Sequence, residues 1–189
     1  MTGRTHDLAA VTALVAVAAI DKPGALSLST LLFALLANQI GGIAPDIDQP
    51  TAPLWRNLPI GKFVGKGVDS LFGGHRFLTH SVLGLALFGF LAATFLKFIS
   101  SLAPHAALHI IWWSFMIGMI SHLIMDTFTK EGVPWLLPIP LRFGVPPLRK
   151  FRITTGKAIE KYVVFPGLLL ILLLIGSHNY QVLQMIVQH

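Results

Sequence analysis

Apolar residues gather along this chain into five blocks, at positions 8–20, 25–44, 82–99, 106–125 and 163–176, and the centres of all five lack Asp, Glu, Lys and Arg. Crossing the hydrocarbon core of a bilayer takes roughly 20 residues of helix, within a range of about 17–25. The second, third and fourth blocks satisfy that length. The first and fifth are short, and a span there must tilt little or borrow interfacial flanks. The pattern predicts an all-α fold: a polytopic membrane helix bundle of about five transmembrane segments. Two long loops, 45–81 and 126–162, join them. The second loop holds five of the 12 prolines, which argues against one continuous helix there because proline lacks the N–H that a helix interior needs. Its apolar and basic residues interleave (Trp135-Leu136-Leu137, Leu141-Arg142-Phe143, Leu148-Arg149-Lys150-Phe151), which suits a segment lying at the headgroup level.

Composition agrees with this pattern. Hydrophobic residues make up 54% of the 189 residues and charged ones 12%, about half the usual soluble share, and the mean hydropathy is +0.72. These values exclude a disordered chain and set it apart from ordinary soluble enzymes; a single integral-membrane domain over 1–189 is expected. The N-terminal block has only Arg4 as a positive flank, with Asp7 beside it, and no small-x-small site precedes the turn Asp21-Lys22-Pro23-Gly24. It reads as a retained helix rather than a cleaved signal.

The formal charge is +6, and 12 of the 14 basic residues fall on one side if all five blocks cross, leaving only Lys22 and Lys97 on the other. The positive-inside rule then places the N-terminus and both long loops in the cytoplasm. Nucleic acid is not an expected partner, because the cations flank membrane spans; membrane lipids, anionic ones especially, are. There is no Cys, so any metal must be held by His and carboxylates.

Those residues converge. Asp46 and Asp48 follow the second block, His75 and His80 precede the third, His122 and Asp126 close the fourth, and His6 precedes the first. In the expected topology all seven reach the same membrane face. His122 and Asp126, four apart, share a helix face. Asp46 and Asp48, in an extended stretch after Pro45, would point the same way. Seven candidates exceed the needs of one zinc centre, so one or two divalent ions are expected, zinc or manganese first among them, or one ion plus a general base. Thr79 and Ser81 are natural N-caps for the third block. Arg76 has the fork that matches a phosphate, or simply anchors the loop at the headgroups.

The blocks Ala44-Pro45-Asp46-Ile47-Asp48-Gln49-Pro50, Gly74-His75-Arg76-Phe77-Leu78-Thr79-His80-Ser81 and Ser121-His122-Leu123-Ile124-Met125-Asp126 resemble the YdjM/YbcI-type family of inner-membrane proteins described as membrane-bound metal-dependent hydrolases. The run from Thr129 to Pro138 and the basic-aromatic stretch around Arg142 are similar too. His6 takes the place of an N-terminal His of the family, with Thr5 where a Gly usually precedes it. The resemblance covers the chain from His6 to about Tyr162. It implies hydrolysis at a His/Asp metal site, and the basic loops suggest a lipid phosphate ester as substrate. A looser similarity, to zinc-dependent phospholipase C, lies in the order of His6, Asp46, His75, His122 and Asp126. A late His-x-x-x-Glu helix is missing, and Glu160 would supply its carboxylate. Arg76, Thr79 and Glu160 are thus the candidate catalytic residues beside the seven candidate ligands.

Other classes fit less well. A transporter would carry ionisable residues near the bilayer midplane, and a zinc metalloprotease would show His-Glu-x-x-His. A non-enzymatic membrane scaffold with a structural metal site remains the alternative; it requires a closed coordination shell, where a catalytic site keeps one position open.

Overall fold

Each apolar block folds as a helix, and the local chemistry at its ends explains where it starts and stops. In the computed structural model, which describes residues 1–50, 55, 59–71, 77–102, 104–139 and 141–187 (and not the side chains of 62, 68, 69 and 71), α1 spans Gly3–Asp21 and α2 Leu28–Ile43. An amphipathic helix, α3, covers Gly61–Leu71 within the first long loop, where no helix is expected from the apolar blocks. Then come α4, Val82–Phe98, and α5, Leu108–Thr127. A wide turn at Glu160–Val164 leads into α6, Phe165–His178, and α7 is Tyr180–Val187. The described residues contain two isolated backbone bridges, Thr129 with Ile153 and Val133 with Phe143, and no strand.

This is an all-α membrane bundle. Four helical stretches are long and apolar enough to cross a bilayer: Gly3–Asp21, Leu28–Asp48, Leu108–Thr127 and Glu160–His178. The third block is the shorter one, a helix of 17 residues. The first and last gain length because polar turns extend them: α1 begins five residues before its apolar block, and 160–164 continues α6. Both extensions meet at Glu160, whose buried carboxylate accepts from Thr2 N and from the hydroxyls of Thr2 and Thr5.

The central helix is α5, with Ile111, Ser114, Phe115, Gly118, Met119, His122, Leu123 and Asp126 buried along its length. Helix α2 packs against it most extensively, and α1 and α4 flank it. Two glycines permit the α2–α5 approach. A Cβ on Gly41 would lie 2.0 Å from Phe115 O, and one on Gly118 would lie 2.1 Å from Asn38 O, so backbone touches backbone at the crossing. Asn38 secures it by donating to Ser114 O at 3.1 Å. On the outside, Leu32, Leu36 and Ile40 of α2, Phe90 and Phe95 of α4, and Leu170 and Leu173 of α6 are exposed. Such continuous apolar surface marks the lipid-facing side.

Among the described residues of the segment after α5 the short turn Arg149–Phe151 is the one helical piece before Glu160, as the prolines predict. The segment folds back beneath the bundle. Lys130 N donates to Ile153 O, Ile153 N to Phe128 O and Val145 N to Thr127 O, while Trp135 O accepts from Val82 N at the start of α4. Leu136, Ile139, Leu141, Leu148 and Phe151 stay exposed among the basic residues of this loop, the arrangement expected of a headgroup-level segment.

Candidate metal centre

Four elements meet at the end of α5 that carries His122 and Asp126. Because Pro45 cannot continue the α2 hydrogen-bond ladder, the chain tightens into a 3-10 turn at Ala44–Asp48. At three residues per turn, positions two apart point away from each other. Asp46 and Asp48 therefore do not point the same way, as an extended stretch would require. Asp46 turns toward His80 and His122, whereas Asp48, fully buried, accepts from the Thr79 hydroxyl at 2.5 Å.

That hydroxyl is occupied in a defined sense. Having given its proton to Asp48, Thr79 Oγ1 accepts from His80 Nδ1–H at 2.9 Å. The His80 ring is thereby held with Nε2 unprotonated and facing Asp46 and Asp126. Thr79 is not the cap of α4; Ser81 is, accepting from Gly84 N at 3.1 Å. His122 is fixed in the same manner by a different partner: its Nδ1–H donates to Gly42 O at 2.6 Å. His122 Nε2 is buried and has no hydrogen-bond partner among the described residues. Such hydrogen bonds to the far ring nitrogen are what orient metal-ligating histidines.

The distances around these nitrogens are informative. His80 Nε2 lies 3.7 Å from both Asp46 Oδ1 and Asp126 Oδ2, and His122 Nε2 lies 3.6 Å and 3.8 Å from the same two oxygens. All four separations are too long for hydrogen bonds. Two ligand atoms each about 2.1 Å from an ion at a tetrahedral angle stand about 3.4 Å apart. Asp46, His80 and His122, whose ligand atoms all lie within 4.8 Å of one another, form one group that fits such an ion in spacing.

A second group of three, His6, His122 and Asp126, lies beside the first. The His6 and His122 rings stack with centroids 3.6 Å apart, and His6 Nε2 is 3.3 Å from Asp126 Oδ1. The α-ammonium of Met1 donates to His6 Nε2 at 2.9 Å and pairs closely with Asp126 Oδ1. His6, His80, His122 and Asp126 are all buried, while the Asp46 side chain is 24% exposed and marks the open side.

His80, which lies outside the membrane-spanning helices, has its pKa held below the usual imidazole range. Burial is the largest cause, and it outweighs the opposing pull of the Asp126, Asp46 and Asp48 carboxylates.

Of the seven expected ligands, His6, Asp46, His80, His122 and Asp126 come together here, and Asp48 stands behind His80 through two hydrogen bonds that meet at Thr79. His75 lies outside the described residues, as does Arg76. Glu160 is in neither group: besides the three donors from Thr2 and Thr5, its other oxygen accepts from Gly156 N at 2.7 Å, so the carboxylate clamps the start of α1 to the turn before α6. Sequence reasoning also missed Gly42, whose contribution is a carbonyl, and the Thr2–Thr5–Glu160 clamp that sets the His6 end of α1. The only hint of the first was a glycine pair just before Pro45.

An all-α membrane protein with a buried His/Asp cluster at one end of its central helix is the class these observations define. The sequence profile of the YdjM inner membrane protein family matches residues 1–185, and the chain belongs to that family. It is 32% identical to the uncharacterized protein YvsG of Bacillus subtilis over 166 residues, which cover 87% of this chain and 88% of that protein. It is 34% identical to the inner membrane protein YdjM of Escherichia coli over 122 residues, 64% of this chain and 56% of the relative, and matches its Shigella flexneri counterpart to the same extent. The match thus spans just over half the length of those two relatives. No solved structure matches the chain.

Proposed function

We propose that this protein is a membrane-embedded, metal-dependent hydrolase acting on lipid phosphate esters, with its site at the cytoplasmic face of the inner membrane. The observation that carries the reading is the buried His122 Nε2, without a hydrogen-bond partner among the described residues, its ring locked by Gly42, facing two carboxylate oxygens at ligand–ligand rather than hydrogen-bond spacing. His80, His122, Asp46 and Asp126 would hold one divalent ion, zinc or manganese, with His6 alongside for a second ion or as a proton acceptor. A bound ion of this kind lowers the pKa of a coordinated water to about 7, supplying hydroxide at neutral pH.

The residues have separate tasks in this reading. Asp48 and Thr79 keep His80 in the tautomer that exposes Nε2. Gly42 does the same for His122. Asp126 divides its oxygens between the two groups, Oδ2 toward His80 and His122, Oδ1 toward His6. Asp46, the partly exposed member, borders the side from which substrate and water arrive, and this opening favours catalysis over a closed structural site. The clustering of 12 basic residues on this side supports the cytoplasmic orientation and an anionic substrate.

Elemental analysis of protein purified without chelator tests the reading. One or two ions per chain are expected, lost from both Asp46→Ala and His122→Ala, together with phosphate release from a phosphatidic acid in mixed micelles. A parent that stays metal-free after supplementation would sink the proposal and leave a hydrogen-bonded scaffold.

A further inference from the structure

Beside the candidate centre a groove of about 360 Å³ runs between α4 and α5, within the size range of small-molecule sites, about 300–1,000 Å³. Val82, Ala86, Gly89 and Ala93 of α4 line one wall, and Trp112 and Met116 of α5 the other. Leu85 and Phe90 complete the α4 wall, which mixes small and large apolar side chains. A Cβ on Gly89 would already lie 3.1 Å from Met116 Sδ. The one polar atom of the opposite wall is spoken for, since Trp112 Nε1–H donates to Gly89 O at 2.8 Å. A polar ligand would therefore find no partner here.

The groove also has a direction. Its near end is Val82, two residues beyond His80, and its far end is Ala93. A helix rising 1.5 Å per residue carries the wall about 16 Å away from the site and into the span of α5. Helix α5 runs back along it, from Trp112 at the far end toward His122 and the metal ligands.

We propose that this groove seats one acyl chain of the lipid phosphate ester, entering sideways from the bilayer, and so sets the position of the ester at the His80–His122 end. The inference rests on the hydrolase reading and adds the binding site for the lipid part of the substrate. An acyl chain is the occupant because the groove is apolar, lies within the membrane-spanning layer and is continuous with the lipid-facing surface. Moving a chain from bilayer to groove exchanges one apolar surrounding for another, so little affinity comes from burial. The groove acts by orientation, holding the scissile group where the site can use it. Selection among lipids must then come from the headgroup.

Photo-crosslinking tests this with a phosphatidic acid bearing a diazirine in one acyl chain, in phosphatidylcholine vesicles that carry the protein. Adducts are expected to concentrate on residues 82–93 and 112–116 and to be lost in an Ala86→Phe/Ala93→Phe variant that retains its metal. A phosphatidylcholine with the same diazirine should label those segments several-fold less. Adducts spread evenly over α2, α4 and α6, equal labelling by both lipids, or labelling that survives in the filled variant would overturn the groove. If the double variant does not reach the membrane, Ala86→Leu alone, read as loss of labelling at 112–116, carries the same test. Metal content measured in the same samples separates the two ideas: selective labelling on a metal-free parent refutes the hydrolase, not the groove.

Discussion

Thr79→Val removes one hydroxyl from a fully buried position while nearly preserving side-chain volume, so its effect isolates the link between Asp48 and His80. Two hydrogen bonds disappear, the 2.5 Å bond donated to Asp48 and the 2.9 Å bond accepted from His80. These are the bonds that hold His80 Nδ1 to the Asp48 carboxylate through Thr79. Losing such an outer partner typically costs about 10–100-fold in metal affinity, or about 1.4–2.7 kcal/mol. The assay is a competition titration against a chromophoric zinc chelator in detergent micelles. Thr79→Ser should bind within about threefold of the parent, because it restores the oxygen. A valine variant that binds as tightly as the parent would refute the view that the relay orients His80. A serine variant as weak as valine would show that the hydroxyl alone is not enough and that the Thr79 methyl is needed to hold it in place.

Three further outcomes follow from the same geometry. Gly118→Ala forces a methyl to within about 2.1 Å of Asn38 O, so α2 and α5 must separate; a loss of about 1–3 kcal/mol is expected in thermal unfolding, together with weaker metal binding as Gly42 withdraws from His122. Glu160→Gln replaces a charged acceptor of four donors; hydrogen bonds to charged groups contribute about 1.5–3 kcal/mol each, so a loss of a few kcal/mol and faster amide exchange over residues 2–6 are expected. The metal-free protein should be more stable above about pH 6.5 than below it: the folded pKa of His80 is depressed, the unfolded chain takes up the proton first as pH falls, and stability declines until the folded value is passed. Melting curves across that window, parent against His80→Gln, read the difference, and a flat parent profile would contradict it.

Much of this molecule was legible in the chain itself. Uninterrupted apolar blocks can satisfy their backbone in a bilayer only as helices, so the bundle followed from hydropathy, and the prolines of 126–162 excluded a further long helix. His122 and Asp126 were visible as a pair because a helix of 3.6 residues per turn places positions four apart on one face. Spacing could not assign partners across elements. The direction of Asp46 and Asp48 depended on whether Pro45 leads into a strand-like or a 3-10 segment, and only the folded turn separates a carboxylate that faces the centre from one that supports it. Ligand, cap and relay are all chemically open to Thr79; the position of Asp48, 31 residues earlier in the chain, decides the matter. Glu160 had the right chemistry for a ligand, yet the threonines at the start of α1 reach it first. Local pattern determines which residues can do the chemistry, because it depends on residue type and period alone. Which of them come together is decided by contacts between distant segments, and those exist only once Gly41 and Gly118 let α2 and α5 close.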